Sequence, residues 1–248
     1  MKIVKILLKA LLLCTALGYF IFAIVKSRSP QEAVCTGMEY QFLDSGQTSL
    51  INQEDVEHLL GQQKISPKGK LLADIDIPGI EQTLSDNPYI DTVVCYYTAS
   101  GKLCLRVKPL HPLLHIFAND GDEFYMDENG VAMPGGGRNI DLPVVTGHVT
   151  REYASNHLLP LGRFLQENTY WNNQAEQIYV DSKGNVEIIP RFAEQRILLG
   201  KPEEYADKLE RVRLFYEKGM PKIGWNKYST INAAYRGEII CTKRIETK

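Results

Sequence analysis

The rhythm of hydrophobic and polar positions changes twice along the chain. From Ala10 to Val25 no charged residue appears in 16 positions; as a helix this stretch rises about 24 Å. With Ile3 to Leu8, broken by Lys5 and followed by Lys9, it reaches the roughly 20 residues that a membrane span needs. The pattern predicts a transmembrane helix over residues 10–26 behind a short tail, residues 1–9. A cleaved secretory signal is the competing reading, because Lys2, Lys5 and Lys9 make a positive start. No small-x-small pattern closes the stretch, which ends in Phe20, Ile21, Phe22, Ile24 and Val25. An uncleaved signal anchor fits better, with the lysine-bearing amino terminus cytoplasmic and the chain from about residue 27 outside the membrane.

Period-two alternation then takes over at Val34, Thr36, Met38, Tyr40 and Phe42, a strand that stops at Asp44-Ser45-Gly46. Asn52 is placed to cap a short helix carrying Val56, Leu59 and Leu60 on one face and ending at Gly61. Residues 62–74 read as a loop. Asp76 is placed to cap a second helix with Ile77, Ile80 and Leu84 on one stripe, halted before Asn87-Pro88. Two strands, Thr92 to Tyr97 and Lys102 to Val107, flank the hairpin signal Thr98-Ala99-Ser100-Gly101. The predicted order over residues 33–108 is therefore strand, helix, helix, strand, strand. From residue 109 short strands dominate: Leu113 to Ala118, Glu123 to Met126, Leu142 to Thr146, Gln177 to Asp181, Asn185 to Ile189, Arg196 to Leu199 and Ser229 to Cys241. One helix follows Pro160. Another begins near Pro202 and repeats Tyr205, Leu209, Val212 and Tyr216. The fold class is α+β, with residues 109–248 a mixed domain on a mainly antiparallel sheet.

Charge narrows the partners. Of 28 Lys and Arg, five precede residue 29, whereas all 30 acidic residues follow it, so residues 29–248 carry 23 against 30 and a net charge of −7. An acidic body disfavours nucleic acid or an anionic membrane surface as its main partner. Four cysteines lie outside the apolar stretch, Cys35, Cys95, Cys104 and Cys241, too few for a disulfide-dependent scaffold. Cys95 and Cys104 flank the hairpin and are placed to bridge across it, but buried thiols are the preferred reading.

Reactive chemistry finds little support. His111 and His115 are four apart, yet Pro112 follows the first and the segment reads as extended, so they do not share a helical face. His58, His148 and His157 have no ligand-spaced neighbours. Asp120, Asp122, Glu123, Asp127 and Glu128 lack the twelve-residue calcium-loop pattern. Pro134-Gly135-Gly136-Gly137-Arg138 has no Gly-Lys-Ser/Thr ending. Gly-x-Ser-x-Gly, His-Glu-x-x-His and Ser-x-x-Lys are all missing. No catalytic residue, metal site or cofactor is expected.

Several local marks, in order over more than 200 residues, resemble the bitopic division protein family FtsQ, called DivIB in Gram-positive bacteria. In the first module they are Asp55-Val56, Ile80-Glu81 with Leu84, Asn87-Pro88-Tyr89-Ile90, and Leu103-x-Leu105-x-Val107 followed by Pro112. Beyond it lie Phe124-Tyr125-Met126-Asp127-x-x-Gly130, Met133-Pro134, Leu142-Pro143-Val144-Val145-Thr146-Gly147, Ile197-Leu198-Leu199-Gly200-Lys201 with Lys208-Leu209, and Ile231-Asn232-x-x-Tyr235 leading to Ile239-Ile240-Cys241-Thr242-Lys243-Arg244. Each also has a structural reason: Asn129-Gly130 is a hairpin signal, and Gly147 and Gly200 are suited to turn geometry that other residues resist. The resemblance implies a POTRA (polypeptide-transport-associated) domain over 33–108 and a β domain over 109–248. It implies a non-enzymatic scaffold of the septum-building divisome in the cell inner membrane, single-pass with most of the chain periplasmic. It further implies FtsB-like and FtsL-like single-span partners, one of which adds a strand to the last strand of the sheet, Ser229 to Cys241. Partner contacts then fall on Lys201, Tyr235, Arg236, Gly237, Glu238, Ile239 and Ile240, although Ala233-Ala234 departs from the larger, more polar pair of the family. The rival classes are a membrane-anchored envelope enzyme and a POTRA-type transport adaptor.

Overall fold

In the computed structural model, residues 11–22, 33–43, 49–136, 140–172 and 174–245 are described. Residues 11–22 are helical, and among the described residues no helix is long and apolar enough to cross a membrane. The predicted tail 1–9, residue 10 and residues 23–26 of the predicted span lie outside the described residues.

The rest divides into two units, the first drawing on residues up to Phe42, Gln53–Asp86 and Thr92–Val107. Its elements are β1 (Met38–Phe42), α1 (Gln53–Gln62), a 3₁₀ turn (Leu72–Asp74), α2 (Ile77–Ser85), β2 (Ile90–Tyr97) and β3 (Leu103–Pro109). This is the predicted strand, helix, helix, strand, strand order. β3 is central in the order β1-β3-β2 and pairs parallel with β1, Tyr40 opposite Leu105. Leu103, Leu105 and Val107 on it are fully buried. Val56 and Leu60, one turn apart, are the buried face of α1, and Ile80 and Leu84 that of α2. The Asp76 carboxylate accepts the Gly79 amide at 3.0 Å, closing the α2 amino terminus as the sequence predicts.

Two details differ from the sequence reading, and the preferred reading of the cysteines as buried thiols holds. β1 starts at Met38, because Val34 forms an isolated bridge with Leu71 and the Cys35 amide bonds the Lys70 carbonyl, so residues 34 and 35 serve a different segment. α1 continues past Gly61, and Lys64 supplies the left-handed residue, with φ +55°. All the cysteines are free: Cys35, Cys95 and Cys104 are buried, and burial with Glu81 and Cys104 nearby pushes the Cys95 thiol up to about 12.

The second unit, Leu43–Asn52, Asn87–Asp91 and Lys108–Lys248, is built on β4 (Pro112–Ala118), β5 (Glu123–Asp127), β6 (Ala132–Pro134), β7 (Val144–Gly147), β8 (Ala175–Val180), β9 (Val186–Pro190), β10 (Arg196–Gly200), β11 (Tyr228–Asn232) and β12 (Ile240–Lys243). The sheet order is β12-β11-β10-β9-β8-β7-β4-β5-β6. β4/β7, β7/β8 and β10/β11 are parallel and the other five pairings antiparallel. Parallel neighbours need a crossover. Between β7 and β8 it runs through Arg151–Tyr153, Ala154–Leu158 and α3 (Leu159–Glu167); between β10 and β11 it runs through α4 (Tyr205–Lys218) and α5 (Met220–Ile223). Leu158, Leu161, Leu165, Leu209, Val212 and Tyr216 from these helices pack on Ile116, Phe124, Val145, Ile178, Ile188, Ile197 and Ile231. Elsewhere in the unit a smaller cluster joins Leu50, Tyr125, Met133 and Leu142.

The helix around Pro160 starts at Arg151, nine residues before that proline. Thr150 caps it by accepting the Tyr153 amide at 3.1 Å, and Ala154–Leu158 form a π turn. Pro160 has no N–H to donate one turn back, and the wider turn absorbs that gap so the helix continues. Asp127 closes the β5/β6 turn through the Asn129 and Val131 amides at 2.9 and 2.6 Å, and Asp181 closes the β8/β9 turn through Lys183 and Asn185, both at 2.8 Å.

Gly147 has φ +107°, and a Cβ there would meet the Val180 carbonyl oxygen at 2.1 Å. Gly147→Ala is expected to cost about 2–4 kcal/mol, read as a lowered midpoint in urea unfolding. Acid stability is a second outcome. The Gly136 amide and then His115 lower the Glu123 pKa, Arg191 lowers Asp141, the Asn185 amide and side chain lower Asp181, and Arg213 lowers Glu210. Because each is lower folded than its ordinary 4.5 or 3.8, the stability they confer is complete above those values and disappears as pH falls through the lowered ones. A urea midpoint that is flat near neutrality and drops steeply only in that acid window is expected.

Candidate functional site

The region that the sequence marks for partner binding lies where β10, the start of α4 and the end of the sheet converge. β10 ends at Gly200, φ +67°, where a Cβ would fall 2.8 Å from the Ala234 Cβ. The turn carrying Lys201 and the loop carrying Tyr235 thus meet backbone to methyl, which a larger residue 234 would prevent. Ala233 is buried, and its amide donates to the Leu198 carbonyl at 2.9 Å. The small Ala233-Ala234 pair is therefore what this close approach requires.

The predicted edge strand Ser229 to Cys241 needs correcting. β11 stops at Asn232 and is an interior strand, parallel to β10 on one side and antiparallel to β12 on the other. Residues 233–239 are the loop of a hairpin, and β12 is the outer strand. The alternation does not persist because Asn232 Oδ1 accepts the Ala234 amide at 3.0 Å and Gly237 takes φ +74°. Arg211 of α4 fastens the loop from below, donating to the Ala233 carbonyl at 3.2 Å and to that of Glu238 while pairing with Asp207 at 3.1 Å. Lys208 is 7% exposed, and its ammonium donates to the Lys201 carbonyl at 2.7 Å; burial lowers its pKa. Sequence reading missed the roles of Arg211, Lys208 and Asn232. The signal was Arg236-Gly237, a turn dipeptide inside a supposed strand.

Of the seven residues marked, only Ile240 is on β12, opposite Asn232 and 49% exposed. Tyr235 is 56% exposed in the loop. Arg236, Gly237 and Glu238 are also exposed there, and Arg236 reaches Glu204 at 3.9 Å. Ile239 is half-buried against the core. The Lys201 ammonium turns toward the β8/β9 turn and donates to the Lys183 carbonyl. Among the described residues no strand pairs with the far side of β12, so its outer backbone groups face away from the sheet.

Several polar groups elsewhere are committed to the fold. His115 stacks on Tyr125 at 4.1 Å and bonds Glu123 at 3.0 Å, and Arg151 clasps Asp122 at 2.9 and 3.0 Å. Gly136 also donates to Glu123, while residues 137–138 of the glycine-rich segment lie outside the described residues. Among the described residues no three His, Cys, Asp or Glu side chains gather to hold a metal ion.

Comparison with protein families decides the lineage. A model described as FtsQ/DivIB, C-terminal related, matches residues 111–242, and a POTRA-like domain model matches residues 33–108. The chain belongs to the FtsQ/DivIB family. No curated protein matches it. FtsQ/DivIB is a family of non-enzymatic cell-division scaffolds, and the β-α-α-β-β unit with the large mixed sheet is the architecture these two matches cover. In this FtsQ/DivIB chain Arg211 holds the 233–239 loop. Arg211→Ala is expected to cost about 1.5–3 kcal/mol of stability and to speed amide hydrogen exchange across residues 235–240 more than across β7 and β8.

Proposed function

We propose that the chain is a non-enzymatic, single-pass scaffold of the divisome that receives a partner strand along the outer side of β12. The single observation behind this reading is an open sheet edge flanked by exposed Tyr235 and Ile240. Unpaired N–H and C=O groups on such an edge bind an added strand through the backbone, while alternate side chains select it. In this reading FtsB-like and FtsL-like single-span proteins are the partners. Tyr235 and Ile240 supply apolar contact area, Arg236 and Glu238 polar contacts beside it, Gly237 the turn and Ile239 its inward anchor. Lys201 lies on the adjoining turn, which Lys208 holds.

Localisation follows from the apolar stretch. Residues 11–22 are helical, and uncharged sequence continues through Val25 behind three lysines; this supports one span over 10–26 in the cell inner membrane, with residues 1–9 cytoplasmic and 33–248 periplasmic. The POTRA domain over 33–108 then stands next to the span and the β domain over 109–248 carries the docking edge.

The test is capture of the FtsB-like and FtsL-like ectodomains by the detergent-solubilised full chain. Ending the chain at Ile239 is expected to abolish capture, and Tyr235→Ala to weaken it about tenfold. Undiminished capture without residues 240–248 refutes docking at this edge.

A further inference from the structure

A second surface adjoins β12 at the end away from the 233–239 loop. Trp225 lies over the buried Tyr216 ring, centroids 5.5 Å apart and planes at 20°. Phe192 meets both edge-on, 5.3 Å from Tyr216 and 6.3 Å from Trp225. Tyr216 is 1% exposed and roots this stack in the core, whereas Phe192 and Trp225 are 44% and 41% exposed, with Ile223 at 38%. The backbone beneath is built: Gly224 turns with φ +99°, its amide donates to the Met220 carbonyl at 2.8 Å, and the Gln195 side chain donates to the Trp225 carbonyl. Rigid aromatic side chains presented in this way bind at small entropic cost. Two buried polar atoms, Gln195 Oε1 and Tyr216 Oη, have no partner among the described residues, and both side chains touch Trp225. Such atoms are rare in a finished core.

The surrounding charges are one-sided. Glu194 is held by Arg244, and Glu217 by Arg213 at 2.6 Å. Lys222, Lys227 and Lys243 make no ion pair among the described residues; the Lys227 ammonium lies 5.9 Å over the Tyr228 ring. In a body whose net charge is −7, three unpaired lysines around three exposed apolar side chains are complementary to an acidic partner segment. The surface is also continuous with the open edge, because Arg244 directly follows β12, its amide donates to the Lys227 carbonyl at 3.0 Å, and Lys243 pairs with Tyr228.

We infer that Phe192, Ile223 and Trp225, with Lys222, Lys227 and Lys243, form a second docking area for an acidic segment bearing an apolar anchor, contiguous in the partner with the strand that adds to β12. This inference rests on the docking edge proposed above. The anchor covers the aromatic stack and the acidic residues meet the lysines, so the partner is gripped at both ends of β12.

The test uses the full chain in detergent and the same ectodomains, at low and high ionic strength. The pair Lys222→Glu and Lys227→Glu, both exposed and outside the core, is expected to weaken capture about tenfold at low salt and to flatten its salt dependence. Trp225→Ala, checked for an intact near-ultraviolet circular dichroism spectrum, is expected to weaken capture about tenfold at both salt levels. If the chain ending at Ile239 fails to capture while both variants capture as the unaltered chain does, this second area is refuted and the docking edge stands. If the truncated chain also captures fully, both fall. Loss of binding to phosphatidylglycerol vesicles with unchanged protein capture assigns the patch to a lipid surface and overturns the inference.

Discussion

The close approach of Gly200 to Ala234 is the constraint on which the candidate surface depends. Both sides must be small, and Gly200 must also adopt a left-handed conformation to reverse the chain after β10. That reversal directs the chain into α4, whose Leu209, Val212 and Tyr216 pack on the sheet and bring Arg211 and Lys208 beneath the two turns. Once α4 is seated, β11 has to run parallel to β10, and β12 folds back to become the rim. The outer strand is thus a product of packing several elements away.

Much of this was legible in residue spacing. Helix faces read from i, i+4 apolar pairs are the buried faces in α1, α2 and α4, since a single stripe must meet a single core. The hairpin of the first unit and the turn at Asp127 to Gly130 were also plain, because glycine and short polar side chains determine turns locally. What escaped depended on distant residues. Pro160 looked like a helix start because nothing in its own neighbourhood announces a wide turn before it. Ser229 to Cys241 read as one strand because Ile231, Ile239 and Cys241 are all apolar; the break made by Asn232 and Gly237 is held in place by Arg211 from another element. Lys201 was marked for a partner, yet its ammonium rests on the Lys183 carbonyl, a contact that becomes visible only when the β8/β9 turn is brought near.

The two sheets treat their rims differently. In the first unit β2 is an outer strand, and Glu81 of α2 accepts the Cys95 amide at 2.7 Å, so a helix side chain satisfies an amide there. β12 is only four residues long and ends in Lys243, features that discourage indiscriminate strand pairing. A short, charged rim gives weak backbone affinity by itself, and so selectivity has to come from the side chains around it.

The π turn at Ala154–Leu158 has an architectural consequence. A wide turn accommodates one residue more than an α turn, and each residue in a helix advances the azimuth by about 100°. The segment from Thr150 to Leu158 therefore acts as a phase shifter: it dials Leu161 and Leu165 toward the sheet, and it lets Gly162 sit so close to Leu113 and Leu114 that an added Cβ would fall 3.2 Å from both side chains. Chain length in this stretch is accordingly as constrained as residue identity.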